Sequence, residues 1–129
     1  MDWAWVTIVG MLAVLQYIFF GLMVGRARGQ YGVDAPATTG HPMFERVYRI
    51  HQNTLEQLVV FLPALAAFGS YVSPFWGALV GVLYIAGRFV YYAGYQADPA
   101  KRGTGMMITF FANAVLVLGG LIGAVLSLI

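Results

Sequence analysis

QLVVFLPALAAFGSYVSPFWGALVGVLYIAG, residues 57–87, runs without a single Asp, Glu, Lys or Arg. A helix needs about 20 apolar residues to cross about 30 Å of hydrocarbon, so this stretch is too long for one span. It is interrupted by Ser70-Tyr71-Val72-Ser73-Pro74, a turn signal. It therefore reads as the facing ends of two membrane helices joined by a short loop. Trp3 to Gly25 and Gly103 to Ile129 are also free of charge, and each fits one span. The expectation is an all-α integral membrane protein, a four-transmembrane-helix bundle in one domain over 1–129, with helices at about 3–26, 43–69, 74–95 and 99–128.

Composition agrees. The chain is 60% hydrophobic and 9% charged, which excludes an ordinary soluble fold. With no cysteine, disulfides, thiolate metal sites and cysteine nucleophiles are excluded. The seven Lys and Arg are Arg26, Arg28, Arg46, Arg49, Arg88, Lys101 and Arg102, and they form no basic stripe suited to nucleic acid. All fall in or nearest to the first and third connections. The positive-inside rule then sets those connections in the cytoplasm and both termini outside, read here as a bacterial inner membrane. Met1-Asp2-Trp3 lacks a basic region ahead of the apolar run, so the first span is expected to stay in the chain. Trp3 and Trp5 suit the interface, and Asp98-Pro99 suits a helix start. Residues 28–42, RGQYGVDAPATTGHP, read as a loop. Gly21/Gly25, Gly77/Gly81 and Gly119/Gly123 permit close helix packing, and Asn113 reads as interhelical glue.

The helix ahead of residue 57 breaks the apolar pattern. FERVYRIHQNTLEQL, residues 44–58, carries two arginines, a histidine, amides and two carboxylates into a membrane helix. An ionised side chain at a span centre costs several kcal/mol, so it survives where it faces protein, a polar cavity or a ligand. Arg46, Arg49, Asn53 and Glu56 share one helical face by their spacing, with Tyr48 and Gln52 beside it and His51 further round. Arg88, Tyr91, Tyr92 and Tyr95 repeat similarly on the third helix, and Lys101 and Arg102 open the fourth at the same end. Arginine grips carboxylates, tyrosine and asparagine bond amides, and a glutamate receives an ammonium group, so the set suits a small carboxylate-bearing ligand. Plainer readings stand beside this one. Arg26, Arg46 and Lys101 read most simply as snorkelling charges, and Arg88 and Glu56 also read as an ion pair between helices. His41 and His51, without cysteines or a paired carboxylate motif, point to no metal site.

At these residues the chain resembles the membrane-associated proteins in eicosanoid and glutathione metabolism, the MAPEG family. The resemblance rests on FERVYRIHQNTLEQL, on GRFVYYAGYQADPAKRG at 87–103 and on TTGHP at 38–42. It implies a left-handed four-helix bundle assembled as a homotrimer, with glutathione between neighbouring subunits near the cytoplasmic face. It also implies that Arg49, Asn53 and Glu56 of the second helix and Tyr91 and Tyr95 of the third hold glutathione. Arg28, Arg88 and His51 match further positions of the binding set, and Arg102 matches the residue that activates the thiol. Gln57 stands where leukotriene-synthesising relatives have a tyrosine, and Gly103 where the prostaglandin synthase relative has a serine, which puts both of those reactions in doubt.

The implied activity is glutathione transfer to a hydrophobic electrophile arriving from the membrane lipids, or reduction of a lipid hydroperoxide to an alcohol. Two rivals are a non-catalytic lipid-binding scaffold of the same family and a small transporter or proton relay using Glu56 and Arg88.

Overall fold

The computed structural model describes residues 2–129. Its helices are α1 (Trp3–Tyr31), α2 (Pro42–Tyr71), α3 (Pro74–Ala97) and α4 (Gly103–Leu126), with a 3-10 turn, Pro99–Arg102, between α3 and α4. Each of the four is long and apolar enough to cross a membrane. The outside of the bundle is hydrocarbon-like: Leu22, Val59, Met107 and Phe110 are 65–69% exposed, which in water would be an aggregating surface. The chain is a multi-pass integral membrane protein.

Local chemistry explains each helix end. α1 runs on to Tyr31, past the expected stop near Arg26, because Gly32 takes the left-handed conformation (φ 69°) that closes a helix. The amide of Val33 then donates to the Arg28 carbonyl (3.1 Å). The expected loop over 28–42 thus shrinks to residues 32–41, and Arg28 stands on the last turn of α1. α2 begins at Pro42, in the first-turn position where a missing N–H costs nothing. His41 Nδ1 accepts from the Met43 amide (3.1 Å), and Glu45 accepts from the Gly40 amide (3.1 Å). Val72 and Ser73 alone separate α2 from α3, a tighter turn than the expected 70–74. Ser73 Oγ caps α3 by accepting from the Trp76 amide. Asp98 caps as expected, its Oδ1 accepting from the Ala100 amide (3.0 Å). What it opens is the 3-10 turn, so Arg102 ends that turn just ahead of α4 rather than lying in α4's first turn.

α2 and α3 each pack on both α1 and α4, and so form the middle of the bundle. The main apolar core gathers Val9 and Ala13 of α1, Phe61, Leu65 and Phe68 of α2, Tyr84 of α3, and Leu116 of α4. Two glycines bring α3 against the chain that follows it. A Cβ on Gly94 would stand 2.5 Å from the Lys101 carbonyl oxygen, and one on Gly105 would overlap the backbone of Tyr91. Of the glycine pairs named above, Gly77/Gly81 and Gly119/Gly123 lie against side chains of neighbouring helices, whereas Gly25 faces open space.

Candidate functional site

At the end of the bundle that holds the α3–α4 connection, four elements surround a polar cavity of about 340 Å³. α2 contributes Arg49, Gln52, Asn53 and Glu56; α3 contributes Tyr91 and Tyr95; and Arg102 and Met106 come from the turn and the start of α4. The spacing of the α2 residues puts them one turn apart on the same face, so a single helix supplies a cation, an amide and a carboxylate in a column. Asn53 Nδ2 lies 3.4 Å from Glu56 Oε1, a long contact that orients the amide. Tyr91 and Tyr95 meet edge to face, centroids 5.6 Å apart, and the Arg102 guanidinium lies 5.9 Å from the Tyr95 ring. Arg102 Nη1 donates to the Pro99 carbonyl (2.7 Å), which fixes the side chain across its own turn. A second polar cavity of about 460 Å³ shares Arg49 and Tyr95 and extends toward Thr38, Thr39 and Pro99.

Of the residues singled out in the sequence, Arg49, Asn53, Glu56, Tyr91, Tyr95 and Arg102 come together on this cavity. Arg88 is a different case. It is fully buried behind the wall, donating to Asn53 Oδ1 (2.8 Å) and to Met106 Sδ (3.4 Å), with its guanidinium 4.3 Å from the Tyr91 ring centroid. It thus holds three lining residues without reaching the cavity, and its bond goes to Asn53 rather than to Glu56 as an ion pair. Its Nε is buried without a partner, a cost that the other contacts must offset.

Arg28 and His51 do not join the cavity within one chain. Arg28 donates to the Ala37 carbonyl (2.7 Å) and lies over the Phe44 ring, 4.9 Å from its centroid, tying the first connection to α2. His51 points to α1, where it stacks on Tyr17 (4.3 Å) against the space left by Gly21. Arg46 is not a snorkelling charge: its Nη1 donates to the Gln96 and Ala97 carbonyls (3.0 and 3.3 Å), capping the negative end of α3. Asn113 acts as interhelical glue, donating to Gln57 Oε1 (3.1 Å). Gln52, expected on a neighbouring face, and Met106, which carries no charge to mark it, also line the cavity. Met106 lies one helical turn beyond Arg102, and that spacing was the available signal.

Two guanidinium groups, a carboxylate, two phenols and two amides around one cavity can bind a small ligand that carries carboxylates, amides and an ammonium group. Fold and site define a class: a multi-pass membrane protein with a charged cavity at one end of a four-helix bundle. The chain belongs to the MAPEG family, whose pattern it matches over residues 6–122. It is 42% identical over 118 residues to an uncharacterized protein of Synechocystis sp., covering 92% of this chain and 86% of the relative. It is 39% identical over 115 residues to microsomal glutathione S-transferase 2 of Homo sapiens (89% of this chain, 78% of the relative). Similarity to leukotriene C4 synthase of Cavia porcellus is 41% over 94 residues, covering 73% of this chain and 63% of the relative.

Proposed function

We propose that the protein is a membrane glutathione transferase that activates the glutathione thiol for attack on hydrophobic electrophiles. The observation that carries this is the convergence of Arg49, Asn53, Glu56, Tyr91, Tyr95 and Arg102 on one cavity. The names of two relatives, a glutathione S-transferase and a leukotriene C4 synthase, support the same reading. Arg49 grips a glutathione carboxylate, Glu56 receives the ammonium group, and Asn53, Tyr91 and Tyr95 bond the peptide amides.

The chemistry falls to Arg102. A thiol with a pKa of about 8.5 is only about 3% ionised at pH 7, and the thiolate is the nucleophile. A guanidinium beside the sulfur favours the anion. A pKa lowered by about two units ionises most of the bound thiol. The sulfur then bonds to the electrophilic carbon as a leaving group departs, giving a thioether and one released proton. The same thiolate, attacking a lipid hydroperoxide, gives an alcohol and a sulfenic species that a second glutathione converts to disulfide and water.

The working unit is a homotrimer in this reading. Arg49 and Glu56 are exposed on the flank of one chain, and Glu56 directly precedes the uncharged half of α2. A charge facing lipid at that level costs several kcal/mol, whereas a second copy laid over the cavity would cover it. The distribution of Lys and Arg supports a cytoplasmic site with both termini outside.

The test is conjugation of 1-chloro-2,4-dinitrobenzene by the purified protein, alongside a glutathione titration. Activity that is equal in Arg102→Ala rejects Arg102 as the thiol activator. Failure to bind glutathione at millimolar concentration rejects the transferase in favour of a non-catalytic scaffold.

A further inference from the structure

A third cavity, of about 240 Å³, lies at the same end of the bundle on another flank. Tyr91 and Tyr92 are adjacent on α3 and therefore point about 100° apart. Tyr91 lines the polar cavity with α2 and the start of α4, whereas Tyr92 lines this one with α1. Arg26 and Gln30 of α1 and Tyr92 and Gln96 of α3 supply its polar groups, beside Met23 and Val47. Tyr92 is held in place by stacking on Phe20 of α1, centroids 5.0 Å apart. No carboxylate lines the cavity among the described residues. Arg28, Arg46, Arg88 and Arg102 donate to groups of their own chain. Arg26 is exposed, and among the described residues it donates to none.

The surface deeper in the membrane is matched to this cavity. Arg26, Leu22 and Phe19 on α1 are spaced i, i−4, i−7, and so are Gln96, Tyr92 and Phe89 on α3. Each set descends one face of its helix, and the two sets touch. Phe19 meets Phe89 edge to face (6.4 Å) and lies 6.4 Å from Tyr92. Both run from polar to apolar in the same direction, away from the connections. Leu22, Phe19 and Phe89 are 41–65% exposed, a surface that hydrocarbon covers. Arg26 directly follows the charge-free stretch 3–25, so the polar members stand where acyl chains give way to headgroups.

We propose that this cavity holds the phosphate of an anionic phospholipid, with its acyl chains laid along Leu22, Phe19 and Phe89. The planar guanidinium of Arg26 takes two phosphate oxygens, and the Tyr92 hydroxyl donates to the phosphate from the other helix. The amides of Gln30 and Gln96 bond the hydroxyls of a glycerol headgroup. A headgroup that carries an ammonium finds no carboxylate here to meet it. A free phosphate offers the same oxygens, but only a lipid also covers the apolar members below. The site shares no lining residue with the polar cavity and does not depend on the transferase reading.

The experiment uses the full-length protein, stripped of lipid in an uncharged detergent and titrated with dioleoylphosphatidylglycerol or dioleoylphosphatidylcholine. Bound lipid is counted by native mass spectrometry. The wild type is expected to hold one phosphatidylglycerol per chain about tenfold more tightly than phosphatidylcholine, as suits one charge-assisted hydrogen bond. Arg26→Gln should bring that ratio near one, and Arg26→Lys, which keeps the charge without the fork, should retain part of it. Lys101→Gln removes an equal charge from the same end of the bundle, outside the cavity, and should leave the ratio unchanged. A preference that survives Arg26→Gln overturns the proposal. So does an equal loss in Lys101→Gln, which assigns the preference to the field of the whole end. Displacement of the lipid by millimolar inorganic phosphate or glycerol phosphate would make the ligand a free anion and overturn it as well. A changed oligomer mass in Arg26→Gln, read in the same spectra, does so too, since a second copy then covers that flank.

Discussion

Five of the six arginines of this chain divide by what they do with their donors. Arg28, Arg46 and Arg88 use theirs on the chain itself: loop carbonyls, the end of α3, and Asn53 with Met106. Arg49 and Arg102 line the polar cavity, the first exposed and the second tied to a single carbonyl of its own turn. A guanidinium has five donors, so a cavity that holds two sparsely used ones is poised for an anion. A satisfied guanidinium is architecture, however conspicuous it looks in an apolar sequence.

If this division holds, variants of the two groups fail differently. The largest effect is expected from Arg88→Ala, which leaves a void behind the wall and strips Asn53 of its partner. Leaving a buried polar group unpaired costs about 1–3 kcal/mol and the void adds to that, so thermal stability and glutathione affinity should fall together. A variant that keeps its melting temperature and loses only affinity would move Arg88 into the binding group. Next is Arg49→Ala, expected to raise the glutathione KM about 10- to 100-fold, as suits a lost charge-assisted contact. Its melting temperature should stay near that of the wild type, and a large drop would assign Arg49 to architecture.

Arg102→Ala should lower turnover at saturating glutathione about 25-fold at pH 7. The sign of its pH dependence follows from the thiol. Without the guanidinium the bound thiol titrates nearer 8.5, so the deficit should shrink as pH rises toward 9. A deficit that is constant from pH 6 to 9 argues against thiol ionisation as its role. The smallest effect is expected from Arg46→Ala, which uncaps α3 at a cost of about 0.5–1 kcal/mol in thermal or denaturant unfolding. Its glutathione kinetics should change by less than twofold, and a larger change would join the two polar cavities into one site.

The distinction was only partly legible in the sequence. The four spans could be read because membrane helices announce themselves by length and absence of charge. The column on α2 could be read because 3.6-residue spacing fixes a face. Which arginines were already satisfied could not, since the partners of Arg46 and Arg88 are separated from them by 50 and 35 residues. Spacing on one helix says nothing of carbonyls on another. His51 shows the same limit: one step round the helix turns it from the cavity toward Tyr17. The end of α1 was misread because arginines suggested an interface, while the stop signal was Gly32 further on.

Gly94 and Gly105 bracket Arg102, one seating α3 against the carbonyl of Lys101 and the other against the backbone of α4. Between the tyrosine shelf of α3 and the guanidinium there is therefore main chain on main chain, with no compressible side-chain layer. Lateral pressure from the surrounding lipid varies with composition and temperature, and it acts first on whatever can be squeezed. Here the gauge of the cavity is set by contacts that are already closed, so the spacing of Arg102 from Tyr91 and Tyr95 should stay constant while the apolar flanks of the bundle breathe.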